Sequence, residues 1–105
     1  MGQEEPMVYM KIYEVNGERL IAICDEELLG VKLREGEISL YVDPAFYGDQ
    51  LVPLSVALAE ARQATMLNLV GEKIVNAAIR EGLVHPAAVL RVQGVPHAQV
   101  VKMPW

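Results

Sequence analysis

Met7-Val8-Tyr9-Met10-Lys11-Ile12-Tyr13-Glu14-Val15-Asn16-Gly17-Glu18-Arg19-Leu20-Ile21-Ala22-Ile23-Cys24 is the stretch that decides the fold class. From Met7 to Glu14 the residues alternate. Val8, Met10 and Ile12 fall on one parity and Tyr9, Lys11 and Tyr13 on the other, the pattern of a strand with one buried and one amphipathic face. Asn16-Gly17 is the pair that best tolerates positive φ at both centres of a type I′ turn, and Glu18 to Cys24 supplies the returning strand. An antiparallel hairpin is therefore predicted at the start of the ordered chain.

After the hairpin, Asp25-Glu26-Glu27-Leu28-Leu29-Gly30 starts on an N-cap type, carries acids in its first turn and closes on Gly, which predicts a single helical turn or a short helix. Lys32 to Gly36 reads as polar connection. Glu37 to Asp43 alternates again, with Ile38, Leu40 and Val42 inward and Ser39 and Tyr41 opposite, giving a third strand. Asp43 to Asp49 has the punctuation of a loop but holds the adjacent aromatics Phe46 and Tyr47, so part of it is expected to tuck against the core. From Leu54-Ser55 to about Leu69 the residues are good helix formers without interior Gly or Pro, so helix is expected throughout. Gly71 then either bends one long helix or separates two. Glu72 to Glu81 is amphipathic, with Ile74, Val75, Ala78 and Ile79 on one side and Gly82 suited to the C′ position. Beyond His85-Pro86, Val89 to Gln93 and Ala98 to Met103 are expected as a second hairpin or two edge strands around a Gly94 to His97 connection. The predicted fold is α+β, a mainly antiparallel sheet with two helices or one bent helix packed on one face. Residues 1–6 read as a polar tail and 7–105 as a single domain.

A chain of 105 residues with 52% hydrophobic composition can bury a core without disulfides or metals. Its apolar runs fall short of the roughly 20 residues that span a bilayer, and its start lacks the basic and apolar regions of a signal peptide. Cys24 stands alone, in keeping with a reducing compartment, and a cytoplasmic protein is expected. The net charge of −5 opposes the electrostatic footprint of a nucleic-acid binder, and the basic residues are spread along the chain. Neither DNA nor membrane is an expected partner.

The polar residues best placed for function are in Gly94-Val95-Pro96-His97-Ala98-Gln99, a turn-like segment. His97 there suits a general base, a ligand contact or an anchor for its own loop. Cys24 with His97, oriented by Asp25, would supply the types for a thiolate nucleophile, but Cys24 stands among Ile21, Ala22 and Ile23 and reads more simply as a buried thiol. CxxC, HxxxH and EF-hand spacings are missing, so neither metal nor cofactor is expected. Asn68-Leu69-Val70-Gly71-Glu72-Lys73 superficially resembles a phosphate loop yet lacks the glycine pair and the hydroxyl residue after Lys. A helix starting at Gly71 would still offer N–H groups to an anion, with Lys73 assisting. On a continuous helix Arg62, Thr65, Asn68, Glu72 and Asn76 would line one face, either as a solvated surface or as a groove in which Asn68 and Glu72 meet His97 and Gln99. Arg34 and Lys32 read as surface charges or as contacts to an anionic partner.

The blocks Cys24-Asp25-Glu26-Glu27-Leu28-Leu29-Gly30, Arg34-Glu35-Gly36, Phe46-Tyr47-Gly48, Asn68-Leu69-Val70-Gly71-Glu72 and Gly94-Val95-Pro96-His97-Ala98-Gln99 together resemble the small archaeal proteins grouped as domain-of-unknown-function family 424. The likeness runs from about Met7 to Lys102. It implies a stand-alone cytosolic archaeal protein and brings no catalytic residues with it. Val31 stands where the family pattern carries Lys, which weakens a basic patch near Arg34.

Three functions follow as expectations. The first is a non-catalytic binding module for RNA or for a protein complex, such as a translation-related one, acting through His97, Gln99, Asn68, Glu72, Lys73 and Arg34. The second is a small hydrolase or transferase using His97 with Glu72 or Cys24. The third is a structural subunit that docks, on a partner or a second copy, through Val100 to Trp105, since a terminal Trp suits an interface anchor.

Overall fold

The computed structural model describes residues 5–102. The opening hairpin forms as expected: β1 (Met7–Val15) pairs antiparallel with β2 (Glu18–Asp25), and Asn16 and Gly17 both take positive φ in the turn. Asp25 leads into a single 3-10 turn over Glu26–Leu28. Two short strands follow, β3 (Lys32–Glu35) and β4 (Ile38–Tyr41), paired into a ribbon of their own. The stretch expected as polar connection thus becomes β3. Its alternation was masked by charge, because Lys32 and Arg34 turn to solvent on a strand too short to show a long apolar face.

Asp43 accepts from the Ala45 amide at 2.9 Å and caps α1 (Pro44–Tyr47), a one-turn helix where a loop was expected. It carries Tyr47 into the core as the paired aromatics predicted. β5 (Gln50–Pro53), unforeseen in the sequence, pairs with β1 at the edge of the main sheet. α2 (Leu54–Ala61) then starts, with Glu5 accepting from the amide and hydroxyl of Ser55.

The largest correction falls on residues 62–70. In place of continued helix the chain turns at Gln63-Ala64 and enters β6 (Met66–Val70), which lies parallel to β2 and antiparallel to β8 (Val95–Val101). Thr65 fixes the switch: its hydroxyl accepts from the Arg19 amide at 2.7 Å and its own amide donates to the Arg19 carbonyl at 2.8 Å. Leu67, Leu69 and Val70 gain full burial at the sheet centre, and this tertiary burial overrides helix propensity. The proposed helical row of Arg62, Thr65, Asn68, Glu72 and Asn76 therefore does not exist. Gly71 neither bends nor splits a helix; it joins β6 to α3 (Glu72–Arg80).

The chain closes with β7 (Leu90–Val92) and β8, joined by a two-residue turn in which Gln93 and Gly94 have φ of 51° and 80°. Val95, Pro96 and His97 lie in β8, so the expected Gly94 to His97 connection is mostly strand. The six-stranded sheet runs β5-β1-β2-β6-β8-β7, with β2–β6 its one parallel pair. Helices α2 and α3 cover one face, packing Ala57, Ala61, Ile74, Val75 and Ala78 on Val8, Met10, Ile21, Ile23, Leu67, Leu69 and Ala98. Over the opposite face lie α1 and the β3–β4 ribbon, which enclose a second cluster of Ala22, Cys24, Val42, Tyr47 and Val70. The fold is α+β, in three layers. Among the described residues no helix is long and apolar enough to cross a membrane.

Candidate functional site

Successive residues of β8 alternate between the two faces of the sheet, so His97 and Gln99 emerge on the ribbon side, with Ala98 buried under the helices. The β6–β8 register sets Asn68 opposite Gln99 and Val70 opposite His97. His97, Gln99 and Asn68 are therefore gathered on one face, although by strand pairing and not by a loop meeting a helix. His97 and Gln99 line a groove of about 570 Å³ between the ribbon and the β7–β8 hairpin, whose other walls are Ile38, Ser39, Leu40, Ala88, Leu90 and Val92. Ile38 and Leu90 remain 44% and 46% exposed, an apolar rim open to solvent.

The half-buried imidazole of His97 has a fixed orientation. Its Nδ1 lies 3.0 Å from the Leu69 carbonyl oxygen. A carbonyl only accepts, so Nδ1 carries the proton and, in the neutral ring, Nε2 keeps the free lone pair. Among the described residues His97 is the one titratable residue of the groove lining; the remainder is apolar apart from Gln99 and, at the ribbon edge, Ser39. Asn68 is committed differently, its Oδ1 accepting from the buried Tyr47 hydroxyl, whose pKa is pushed up by burial.

Other expected partners of His97 lie elsewhere. Tyr9, Cys24, Val70, His97 and Leu90 form one row across five strands, which sets Cys24 two strand spacings, roughly 10 Å, from His97 with Val70 between them. Burial, with the Asp25 and Glu27 carboxylates adding to it, pushes the Cys24 thiol up to about 12, so it stays protonated and inert. Glu72 and Lys73 line a separate cavity of about 510 Å³ with Asp25, Glu27 and Gly94. Lys73 is paired there with Glu27 at 3.3 Å. Arg34 sits on the ribbon's solvent face. Among the described residues no three His, Cys, Asp or Glu side chains are grouped to hold a metal ion.

Asp25 has a role that sequence reading misplaced. Expected to cap its own turn, it instead accepts from the amides of Lys73 at 2.9 Å and Ile74 at 3.0 Å, capping α3. The anion-binding amides proposed at Gly71 to Lys73 are in this way already occupied by the protein's own carboxylate. The groove walls Ile38 and Leu90 carry no functional signal in the sequence; the alternation of residues 38–42 places Ile38 on an inward face but does not touch Leu90.

A crystal structure of an uncharacterized conserved protein from Methanopyrus kandleri is similar to this chain, with 26% identity, 94% of each chain covered and a TM-score of 0.81. No curated protein matches it. The model of the family described as Protein of unknown function (DUF424) matches residues 13–103, most of the chain, and the protein belongs to that family.

Proposed function

We propose that the protein is a non-catalytic binding module that holds a short, uncharged and partly apolar segment of a partner polypeptide in the groove between the ribbon and β7–β8. The observation that carries this reading is the groove's lining: an imidazole locked by the Leu69 carbonyl and an amide set among the side chains of Ile38, Leu40, Leu90 and Val92, with no second titratable group among the described residues. Acid–base or nucleophilic catalysis needs a paired group within hydrogen-bond reach. A binding pocket needs apolar walls and a few oriented polar atoms. The lack of a cation in the lining favours a polypeptide over a phosphate-bearing ligand at this groove.

The test is affinity capture from an extract of the source cells, with and without ribonuclease, using the wild type and the Leu90→Asp and His97→Ala variants. Leu90 is rim-exposed and His97 half-buried, so both variants should fold, which a thermal melt checks. A protein retained after ribonuclease treatment by the wild type and lost by Leu90→Asp supports the reading. Capture that is unchanged in both variants, or abolished by ribonuclease, would overturn it.

A further inference from the structure

The solvent face of the β3–β4 ribbon carries two of the chain's nine Lys and Arg residues, Lys32 and Arg34. The register pairs Lys32 with Tyr41 and Arg34 with Ser39, and strand alternation sets all four on one face while Leu33 and Leu40 turn the other way. All four are exposed, and the Lys32 ammonium stands 5.3 Å from the centroid of the Tyr41 ring. Tyr41 is 48% exposed, high for an aromatic residue on a sheet. Among the described residues neither Lys32 nor Arg34 has a carboxylate partner, whereas Arg19, Arg62 and Lys73 each do. Glu35, the nearest acid in sequence to Arg34, is turned to the other face, where it accepts from the Gln93 amide at 2.6 Å.

We propose that this face binds a single-stranded nucleic acid, with one base stacked on Tyr41 and the flanking phosphates on Lys32 and Arg34. An exposed aromatic ring with one cation across the ribbon, Lys32, and a second on the diagonal, Arg34, is a minimal platform for such a strand, because every base has a π-face and every nucleotide a phosphate. A depression of about 260 Å³, below the size of a typical small-molecule pocket, is bordered by these four residues together with Leu33 and Leu40. The chain's net charge of −5 does not forbid the contact, since charges beyond roughly 10 Å are screened at physiological ionic strength. Duplex is disfavoured because its bases are already stacked on one another. This surface meets the His97 groove at Ser39 and Leu40, which border both, while Lys32, Arg34 and Tyr41 lie outside the groove.

Fluorescence anisotropy with labelled 12-residue oligouridylate and oligodeoxythymidylate tests it, across a salt series from 50 to 200 mM. Two phosphate contacts predict a log–log salt slope of about −1.4. Tyr41→Ala should weaken binding at least about fivefold, Tyr41→Phe should preserve it, and Lys32→Glu with Arg34→Glu should abolish it. All four positions are on the surface, and a thermal melt checks that each variant folds. Binding of either oligomer with this pattern supports the proposal, and preference between them identifies the sugar. Failure to bind both, unchanged affinity in Tyr41→Ala, tighter binding of duplex RNA, or equal competition by oligoglutamate overturns it.

Discussion

The Asp25 carboxylate fills the space that a β-carbon on residue 71 would need: a Cβ added to Gly71 would lie 2.2 Å from Asp25 Cγ. Two requirements meet at that point. The backbone at Gly71 has φ of +120°, which L side chains rarely adopt, and the carboxylate must come close enough to accept from the Lys73 and Ile74 amides. The end of β2 is thereby locked to the start of α3.

Gly71→Ala should therefore destabilise the fold by about 3 kcal/mol or more, combining backbone strain with the displacement of a buried cap. Urea unfolding measures it. Asp25→Ala removes the clashing carboxylate, so the double variant should lose less than the two single losses added together. Additive losses would show that Gly71 and Asp25 do not compete for the same space.

Asp25 also sets a pH dependence. Burial raises its pKa above 3.8, outweighing the opposing effect of its two amide hydrogen bonds. The native state then holds the proton more tightly than the unfolded chain, so stability falls as pH rises through the native value. The stability of wild type relative to Asp25→Asn should be greatest in acid, near pH 3, and decline on going to pH 7. Denaturant midpoints across that range provide the check, and a rising difference would contradict the sign.

How much of this was legible in advance depends on where burial is decided. The Met7 to Cys24 hairpin is local: Asn16-Gly17 and strict alternation specify it without help from the rest of the chain. The amphipathic α3 is local too. Residues 66–70 are different, because Met66, Leu67 and Leu69 suit a helix as well as a strand, and only the parallel pairing with β2 and antiparallel pairing with β8 decides between them. Of the four residues that the helical reading would bring together, β6–β8 pairing sets Asn68 opposite Gln99 by another route and leaves Glu72 apart. Glu72 and Lys73 follow Asn68 closely in sequence, but at Gly71 the chain leaves β6 for α3, whose first amides are capped by Asp25 from the end of β2, a long-range contact that local pattern does not reveal.

Cys24 should be chemically silent in the native state. With its thiol raised to about 12, alkylation by iodoacetamide at pH 8 should proceed only through unfolding and match the rate of global opening. The same shift gives an alkaline signature of opposite origin to acid denaturation. The folded value exceeds the unfolded 9.0, so the contribution is fully present below pH 9 and lost progressively between pH 9 and 12. Cys24→Ala should flatten that part of the stability profile, and an unchanged profile would assign the alkaline loss elsewhere.

Tyr47→Phe isolates one hydrogen bond beneath the ribbon. The Tyr47 hydroxyl is the donor to Asn68 Oδ1, and its removal leaves a half-buried amide oxygen without that partner at nearly constant volume. A loss of about 1–2 kcal/mol is expected, seen as a lowered denaturation midpoint with an unchanged denaturant slope. Adding Asn68→Leu should recover part of it, because an apolar pair of similar size no longer leaves a polar atom unsatisfied.

The last prediction concerns the His97 ring, on which the groove's chemistry turns. Because the Leu69 carbonyl cannot donate, the neutral imidazole should exist as the Nδ1–H form, with Nε2 unprotonated. Long-range proton–nitrogen correlation spectra at pH 8 distinguish the two tautomers through their nitrogen shifts. An Nδ1–H ring that persists in a Gln99→Ala variant would place the orienting contact in the β6 backbone, where strand pairing holds it rigid. An Nε2–H ring, or a fast mixture of both, would mean that the imidazole is not held by Leu69, and the groove would then lack the fixed acceptor that the proposed recognition of a partner's N–H or O–H group requires.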